Sequence, residues 1–495
     1  MTDATSPHPA TDALGWRFEN TYARLPAALF DRAAAAAFPA PRVAVLNRAL
    51  AAELGLDVAA LTDDIAAALF SGQRTPPGAE PIAQAYAGHQ FGRFTMLGDG
   101  RALLLGEQRT PDGRLVDVQF KGSGPTKFSR RGDGRAALGP MLREYVVSEA
   151  MRALGIPTTR SLAVVTTGET VWRDDAKRGA VLTRVAASHL RVGTFQYAAT
   201  LRDEPTLRAL ADYAIARHDP DLVGLPDRHL RFLRAVCERQ AALLAQWQAV
   251  GFVHGVMNTD NAAVSGESID FGPCAFMDAY DPDTVFSSID AGGRYRYAHQ
   301  PAIAQWNLAR FAEALLPLFD PVADRAVELA TAAIEEFPAR FEAHRLAAFR
   351  RKLGLTTAEP EDVALLDDLL TWMHDAGADF TNTFRDLPEE PAPERTSATD
   401  RAYVAWRARW LLRVDREPTG RAAAFAVQRA SNPAVIPRNL RVEEALESAE
   451  RRDDLGPFRE LVRVLATPFD LAPADRRYRE PPPTGCGDYR TFCGT

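Results

Sequence analysis

The stretch His254-Gly255-Val256-Met257-Asn258-Thr259-Asp260-Asn261, followed a few residues later by Ile269-Asp270-Phe271-Gly272, sets two amides and two carboxylates on neighbouring loops. A small divalent cation takes hard oxygen ligands and leaves its remaining positions to phosphate and water, so Asn261 and Asp270 read as a metal pair for Mg²⁺ or Mn²⁺. Asp260 is the only carboxylate of the first loop, and therefore the group there able to take a proton from an attacking hydroxyl. The bland role for Asp260 is a hydrogen bond to its own loop backbone. His254 reads as a packed structural histidine and Phe271 as core.

The spacing of the two loops resembles a protein kinase, whose catalytic loop runs H-R-D-x-x-x-x-N and whose metal loop is D-F-G. On that template His254, Asn261 and Asp270 take the His, metal-Asn and metal-Asp positions, but Val256 stands where the proton-accepting Asp belongs. A chain that kept the metal ligands and lost that base either does no chemistry or does other chemistry with another base, and Asp260 is the candidate.

Working outward, Gly98-Asp99-Gly100-Arg101 precedes a strand, so its backbone amides can approach phosphates and Arg101 adds a cation. A bare G-x-G is also an ordinary turn. Its position strengthens it, because the run Val118-Gln119-Phe120-Lys121 further on resembles the strand that carries a kinase's phosphate-binding lysine. A solvent-facing lysine is the plain alternative for Lys121. The next helix offers Lys121 two acidic partners, Glu144 and Glu149. They lie about 140° apart around a helix, so only one can face it, and periodicity does not choose. The loop from Lys127 to Arg135 holds Gly132, Asp133, Gly134 and four cations, enough to surround a polyphosphate, or simply a solvated basic loop. Arg184 and Arg191 can face the same site or pair with surface acids.

The chain has 495 residues and a formal charge of −7. That length exceeds what one hydrophobic core fills, so at least two units are expected. The negative charge and the lack of a basic domain argue against nucleic-acid binding. No apolar run spans a membrane and the polar N-terminus resembles no leader, so a soluble cytoplasmic protein is expected. Four cysteines, none in C-x-x-C spacing, exclude a disulfide framework and argue against zinc. Cys237 reads as core; Cys486 and Cys493, in a Gly- and Pro-rich tail, read as accessible thiols.

Residues 1–15 read as a disordered tail and 16–95 as a helical N-terminal extension, with a helical patch over Val43 to Leu54. Residues 96–200 read as a mixed unit with the Gly-rich loop, a hairpin turning at Pro111-Asp112-Gly113, the lysine strand, the glutamate helix and strands over Ser161–Val165 and Ala180–Val185. Over 201–385 the pattern is mainly helical. Leu230, Leu233, Cys237, Ala241, Leu244 and Trp247 form one face that feeds the His254 loop. A helical C-terminal extension (386–480) and a Cys-containing tail (481–495) follow. The expected fold class is α+β, a protein-kinase-like two-lobed fold with extra N-terminal and C-terminal helical elements.

Together with Phe18-Glu19-Asn20-Thr21-Tyr22-Ala23-Arg24-Leu25-Pro26, Tyr86-Ala87-Gly88-His89-Gln90-Phe91-Gly92, Phe120-Lys121-Gly122-Ser123-Gly124 and the segment from Asn432-Pro433 to Ile436-Pro437-Arg438-Asn439, these motifs resemble the selenoprotein O family over nearly the whole chain. That family has a kinase fold and acts as protein adenylyltransferases. The resemblance implies that ATP binds flipped relative to a kinase and that AMP passes to Ser, Thr or Tyr hydroxyls of other proteins; UMP transfer with manganese is also attributed to the family. It implies that Gly98, Gly100, Arg101, Lys121, Asp133, Gly134, Arg184, Arg191 and Asp270 line the nucleotide, that Glu144 pairs with Lys121, that Asn261 and Asp270 bind Mg²⁺ or Mn²⁺, and that Asp260 is the proton acceptor. Members with selenocysteine carry it near the C-terminus, where Cys493 stands here. Some bacterial relatives are restrained by a disulfide from the tail to the segment after D-F-G; there Phe286 occupies the expected cysteine position, and Cys274 is the substitute at hand. The rival activities are ordinary γ-phosphate transfer and a non-catalytic nucleotide-binding scaffold.

Overall fold

The computed structural model describes residues 14–389, 400–483 and 489–491. Its centre is a seven-stranded sheet joined to a large helical region. Eleven strands occur among the described residues: β1 (Phe30–Arg32), β2 (Arg42–Leu46), β3 (Ile82–Gln84), β4 (Ala87–Gln90), β5 (Arg93–Met96), β6 (Ala102–Arg109), β7 (Leu115–Lys121), β8 (Arg160–Trp172), β9 (Ala176–Ala186), β10 (Phe252–Val253) and β11 (Ala275–Phe276). The sheet runs β1-β3-β6-β7-β9-β8-β2, and its pairings are antiparallel.

The register of β7 on β9 sets Gln119 opposite Arg184 and Lys121 opposite Leu182. Side chains alternate along a strand, so Gln119, Lys121 and Arg184 share one face. The opposite face presents Val118, Phe120 and Val181, which pack with Phe38 and Leu105. The polar face meets the helix Leu138–Ala153, which buries Leu142, Tyr145, Val146 and Ala150 in the main core. The β6–β7 turn falls at Pro111-Asp112-Gly113, as its residue types predict: Thr110 and Arg114 close it, and Gly113 supplies the positive φ.

The helix Arg228–Ala249 buries Leu233, Cys237, Ala241, Leu244 and Trp247, with Leu230 only partly covered, and leads into β10 and the His254 loop. Two late helices, Asn439–Arg452 and Gly456–Leu465, join the core beneath the Leu138–Ala153 helix, where the Tyr145 and Phe458 rings lie 5.8 Å apart. Both pack on that helix, and the first also reaches β9, where Arg178 donates to the Ala449 carbonyl at 3.1 Å.

The segment 16–95 departs from the helical expectation. It holds the helices Arg48–Glu53 and Asp63–Phe70, but it also supplies β1, β2, β3 and the separate β4–β5 hairpin. The patch Val43 to Leu54 is half strand: β2 ends at Leu46, and Asn47 caps the following helix by accepting from the Leu50 N–H at 3.0 Å. Strands of three to five residues are too short to show alternation, and their partners lie far away in sequence. The strands expected over Ser161–Val165 and Ala180–Val185 are the inner parts of a longer hairpin, β8–β9. Among the described residues no helix is long and apolar enough to cross a membrane.

Candidate active site

Lys121 ends β7 and is buried, which rules out the solvent-facing alternative. Its Nζ forms a close ion pair with Glu144 and reaches Asp270 Oδ1 at 2.6 Å. Glu149 points elsewhere, pairing with Arg160 at 2.8 Å and accepting from the Ser161 N–H. The tertiary fold thus chooses between two glutamates that periodicity left open.

Asp270 collects three cations. Besides Lys121, Arg184 Nη1 lies 2.6 Å from Oδ1 and Arg191 Nη1 lies 3.2 Å from Oδ2. Arg184 is held in turn by Gln119, whose Oε1 accepts from Nη2 at 2.6 Å. Burial by itself would raise the Asp270 carboxyl, but the cations outweigh it and hold it well below the usual carboxylate range. Asp270 also sits at a φ of +64°, a left-handed conformation uncommon outside glycine.

Asp260 is buried beside this cluster, on a short helical turn over Thr259–Asn261. Burial pushes its carboxyl up to about 6, and Arg191 offsets that only in part. Its Oδ1 has no hydrogen-bond partner among the described residues. The Asp260 backbone carbonyl accepts from Arg191 Nη1 at 3.0 Å, so one arginine ties the Asp260 loop to the Asp270 loop. Asn261 donates through Nδ2 to the Val256 carbonyl at 2.9 Å, which leaves its amide oxygen for a ligand. His254 is fully buried, bonded through Nε2 to the Ile269 carbonyl at 2.9 Å and stacked on Trp247. Phe271 is fully buried in the main core.

These groups open onto a cleft of about 540 Å³ whose lining includes Gly100, Arg101, Lys121, Glu144, Arg184, Arg191, Asp260, Asn261 and Asp270. Gly98, Asp133 and Gly134 are not among the lining residues. Gly98, at a φ of +122°, makes room for Phe128: a Cβ there would come within 2.4 Å of that ring. Asp133 is engaged by Arg173 through two hydrogen bonds, of 2.8 and 3.1 Å. Gly134 packs against the Gly124 backbone, where a Cβ would lie 2.1 Å from a carbonyl carbon. Of the four loop cations only Arg130 reaches the cleft; Arg135 pairs with Glu169 and stacks on Phe38.

Sequence reasoning assigned no role to the β4–β5 hairpin, although it singled out Tyr86 to Gly92 as a characteristic segment. The hairpin lies directly on the Asp260 loop. The Thr259 hydroxyl accepts from the His89 N–H at 2.7 Å, and Asn258 Oδ1 accepts from the Phe91 N–H at 3.0 Å. Tyr86 stacks under Arg191 at 4.7 Å, and Tyr86, Gln90 and Phe91 line the cleft. Asp99, also on the lining, is buried and bonded to Gln119 and the Gln84 N–H.

Near the C-terminus, Thr491 pairs with the segment after Asp270: its N–H donates to the Phe286 carbonyl at 2.8 Å and its hydroxyl to the Pro273 carbonyl at 2.6 Å. Cys486 and Cys493 lie outside the described residues. Cys274 is fully buried and donates to the Phe271 carbonyl, and burial pushes its thiol up to about 12.

A cleft that gathers lysine and arginine around two loop aspartates suits a transferase acting on a polyphosphate. The chain belongs to the SelO family: the family model described as protein adenylyltransferase SelO matches residues 12–466. It is 54% identical over 494 residues to the protein nucleotidyltransferase YdiU of Syntrophotalea carbinolica, covering 100% of this chain and 99% of that one. To the protein nucleotidyltransferase YdiU of Geobacillus kaustophilus it is 56% identical over 481 residues, covering 97% and 99%.

Proposed function

We propose that the chain transfers AMP from ATP to Ser, Thr or Tyr hydroxyls of protein acceptors and releases pyrophosphate, in a kinase-like two-lobed fold with the nucleotide reversed relative to a kinase. Membership of the SelO family and the names of its relatives support the class of reaction. The observation that carries the chemistry is Asp260, a buried carboxylate with one unpartnered oxygen beside a knot of three cations.

The acceptor hydroxyl oxygen attacks the α-phosphorus, the bond from that phosphorus to the bridging oxygen breaks, and pyrophosphate carries away the electron pair. Asp260 takes the hydroxyl proton; a carboxyl that titrates at about 6 is ionised at neutral pH yet basic enough for the task. Lys121, Arg184 and Arg191 neutralise the triphosphate from a site shielded from water, where each charge acts most strongly. The free amide oxygen of Asn261 and the Asp270 carboxylate are hard oxygen donors of the kind that Mg²⁺ or Mn²⁺ takes. When bound, such an ion neutralises phosphate charge and orients the polyphosphate. Glu144 holds Lys121 in place.

Incubating the chain and a protein acceptor with ATP labelled separately at the α- and γ-phosphates tests the reading. Label is expected from the α position only and is expected to vanish in Asp270→Ala; transfer from the γ position alone would make the chain an ordinary kinase. Intact mass of the product, with UTP as a competing donor, identifies the nucleotide added.

A further inference from the structure

Beside the cleft mouth stands an arginine that the chemistry above does not use. Arg294 lies over two rings, 5.0 Å from the centre of Trp306 and 5.7 Å from that of Tyr295. Its backbone N–H donates to Asp290 at 2.9 Å, and the other Asp290 oxygen accepts from the Tyr295 N–H, so that carboxylate is occupied by the turn. Arg294 is hydrogen-bonded to the Tyr295 side chain but makes no ion pair among the described residues. Its cationic neighbours differ: Arg296 is paired with Asp283 at 2.9 Å and Arg310 with Glu313 at 2.7 Å. The adjoining depression, about 370 Å³, is lined by Arg294, Arg296, His299 and Trp306 together with small or aliphatic residues, and by no carboxylate.

An apolar shelf continues from this depression across the β4–β5 hairpin. Trp306 meets the His89 ring edge-on at 5.1 Å, His89 meets Phe94 at 5.2 Å, and Phe94 and Met96 are 46% and 47% exposed. Two residues apart on β5, they point to the same side. The shelf is anchored to the base loop, because Asn258 Oδ1 accepts from both the Phe91 N–H and the Tyr295 hydroxyl, the latter at 2.7 Å. Ile289, 55% exposed, lines the cleft at this edge.

We propose that this face docks an acidic segment of the acceptor polypeptide, with a carboxylate side chain on Arg294 and an apolar neighbour on Phe94 and Met96, so that a nearby hydroxyl reaches Asp260. The proposal rests on the reading that the acceptor is a protein. Charge complementarity selects the occupant: a cation already pressed on aromatic rings and lacking a carboxylate partner among the described residues is partly stripped of water, which strengthens its attraction for an incoming carboxylate. A basic segment would meet the Arg294 guanidinium instead, with no carboxylate on the lining of the depression to offset it.

The test uses two fluorescein-labelled peptides, each with one serine flanked by leucine and either glutamates or lysines. Their binding to the full chain, with magnesium and a nonhydrolysable ATP analogue, is read by anisotropy. The acidic peptide is expected to bind about tenfold more tightly. Arg294→Glu is expected to reverse the preference and Arg294→Lys to keep it, while Phe94→Ser with Met96→Ser weakens both peptides alike. Equal binding of the two peptides to the native chain, or no binding of either, overturns the proposal without recourse to any variant. So does an Arg294→Glu variant that melts like the native chain and keeps the acidic preference. Transfer of α-label to the acidic peptide is scored separately: a peptide that binds but stays unlabelled with ATP counts against the nucleotidyl-transfer reading and leaves the docking face standing.

Discussion

Replacing Gly88 by alanine adds one methyl group directly against the proposed base. A Cβ at Gly88 would lie 2.4 Å from Asp260 Oδ1 and 3.0 Å from both the Asp260 Cβ and Cγ. Ordinary contacts between such atoms are about 3.5 Å, so Asp260 must retreat by about 1 Å. The Gly193 backbone packs against the same loop, where a Cβ would come within 2.0 Å of the Ala87 carbonyl oxygen and 3.4 Å of the Asp260 Cα, so the backbone is held and the carboxylate itself has to turn away. A displacement of about 1 Å in a reacting group lowers turnover by about 100-fold, equivalent to about 2.7 kcal/mol in the transition state. Overpacking of this kind also costs about 1–3 kcal/mol of stability. Nucleotide binding is expected to survive, since Lys121, Arg184 and Arg191 come from other elements. The assay is α-label transfer under saturating ATP, with nucleotide affinity measured in parallel by calorimetry. A Gly88→Ala chain with native turnover would refute the placement of Asp260 as the base. Lost turnover fully explained by lost ATP affinity would refute it equally.

The remaining expectations are simpler. Because Asp260 must be ionised to accept a proton and titrates at about 6, transfer should fall about tenfold between pH 7 and pH 5 and stay level from pH 7 to 8; Asp260→Asn should abolish that limb, checked by initial rates across buffers. Lys121→Ala leaves the buried Glu144 with only Arg184, 3.8 Å away, and is expected to destabilise the chain by about 3–5 kcal/mol in thermal or denaturant unfolding and to weaken ATP binding. Adding Glu144→Gln to Lys121→Ala should recover part of that stability by removing the stranded charge. Cys274, buried with its thiol pushed up to about 12, should resist iodoacetamide at pH 8 in the folded chain and react only on unfolding, as followed by peptide mass spectrometry.

Much of the site was legible because its signals are local. The spacing of His254, Asn261 and Asp270, the turn at Pro111-Asp112-Gly113 and the apolar face of the Arg228–Ala249 helix each lie within a short window, where residue type and periodicity dictate conformation. The misreadings share the opposite cause. Residues 16–95 were expected to be helical, yet β1 and β2 are edge strands whose partners, β3 and β8, lie tens of residues on. The basic loop offered four cations for a polyphosphate or for solvent, and it is tertiary contact that draws Arg135 to Glu169 on β8 while Arg130 lines the cleft.

By itself the amino-acid order determined which chemical groups are present: a carboxylate beside an amide on one loop, a carboxylate on the next, a strand lysine and a set of arginines. It did so because each of these is recognised from its immediate neighbours along the chain. Only the tertiary structure decided that Glu144 and not Glu149 meets Lys121, that three cations share Asp270, and that Gly88 presses on Asp260. Those outcomes depend on how the helix sits on the sheet and how a hairpin crosses the base loop. Such contacts are set by the packing of distant surfaces, and no short window of sequence contains both sides of them.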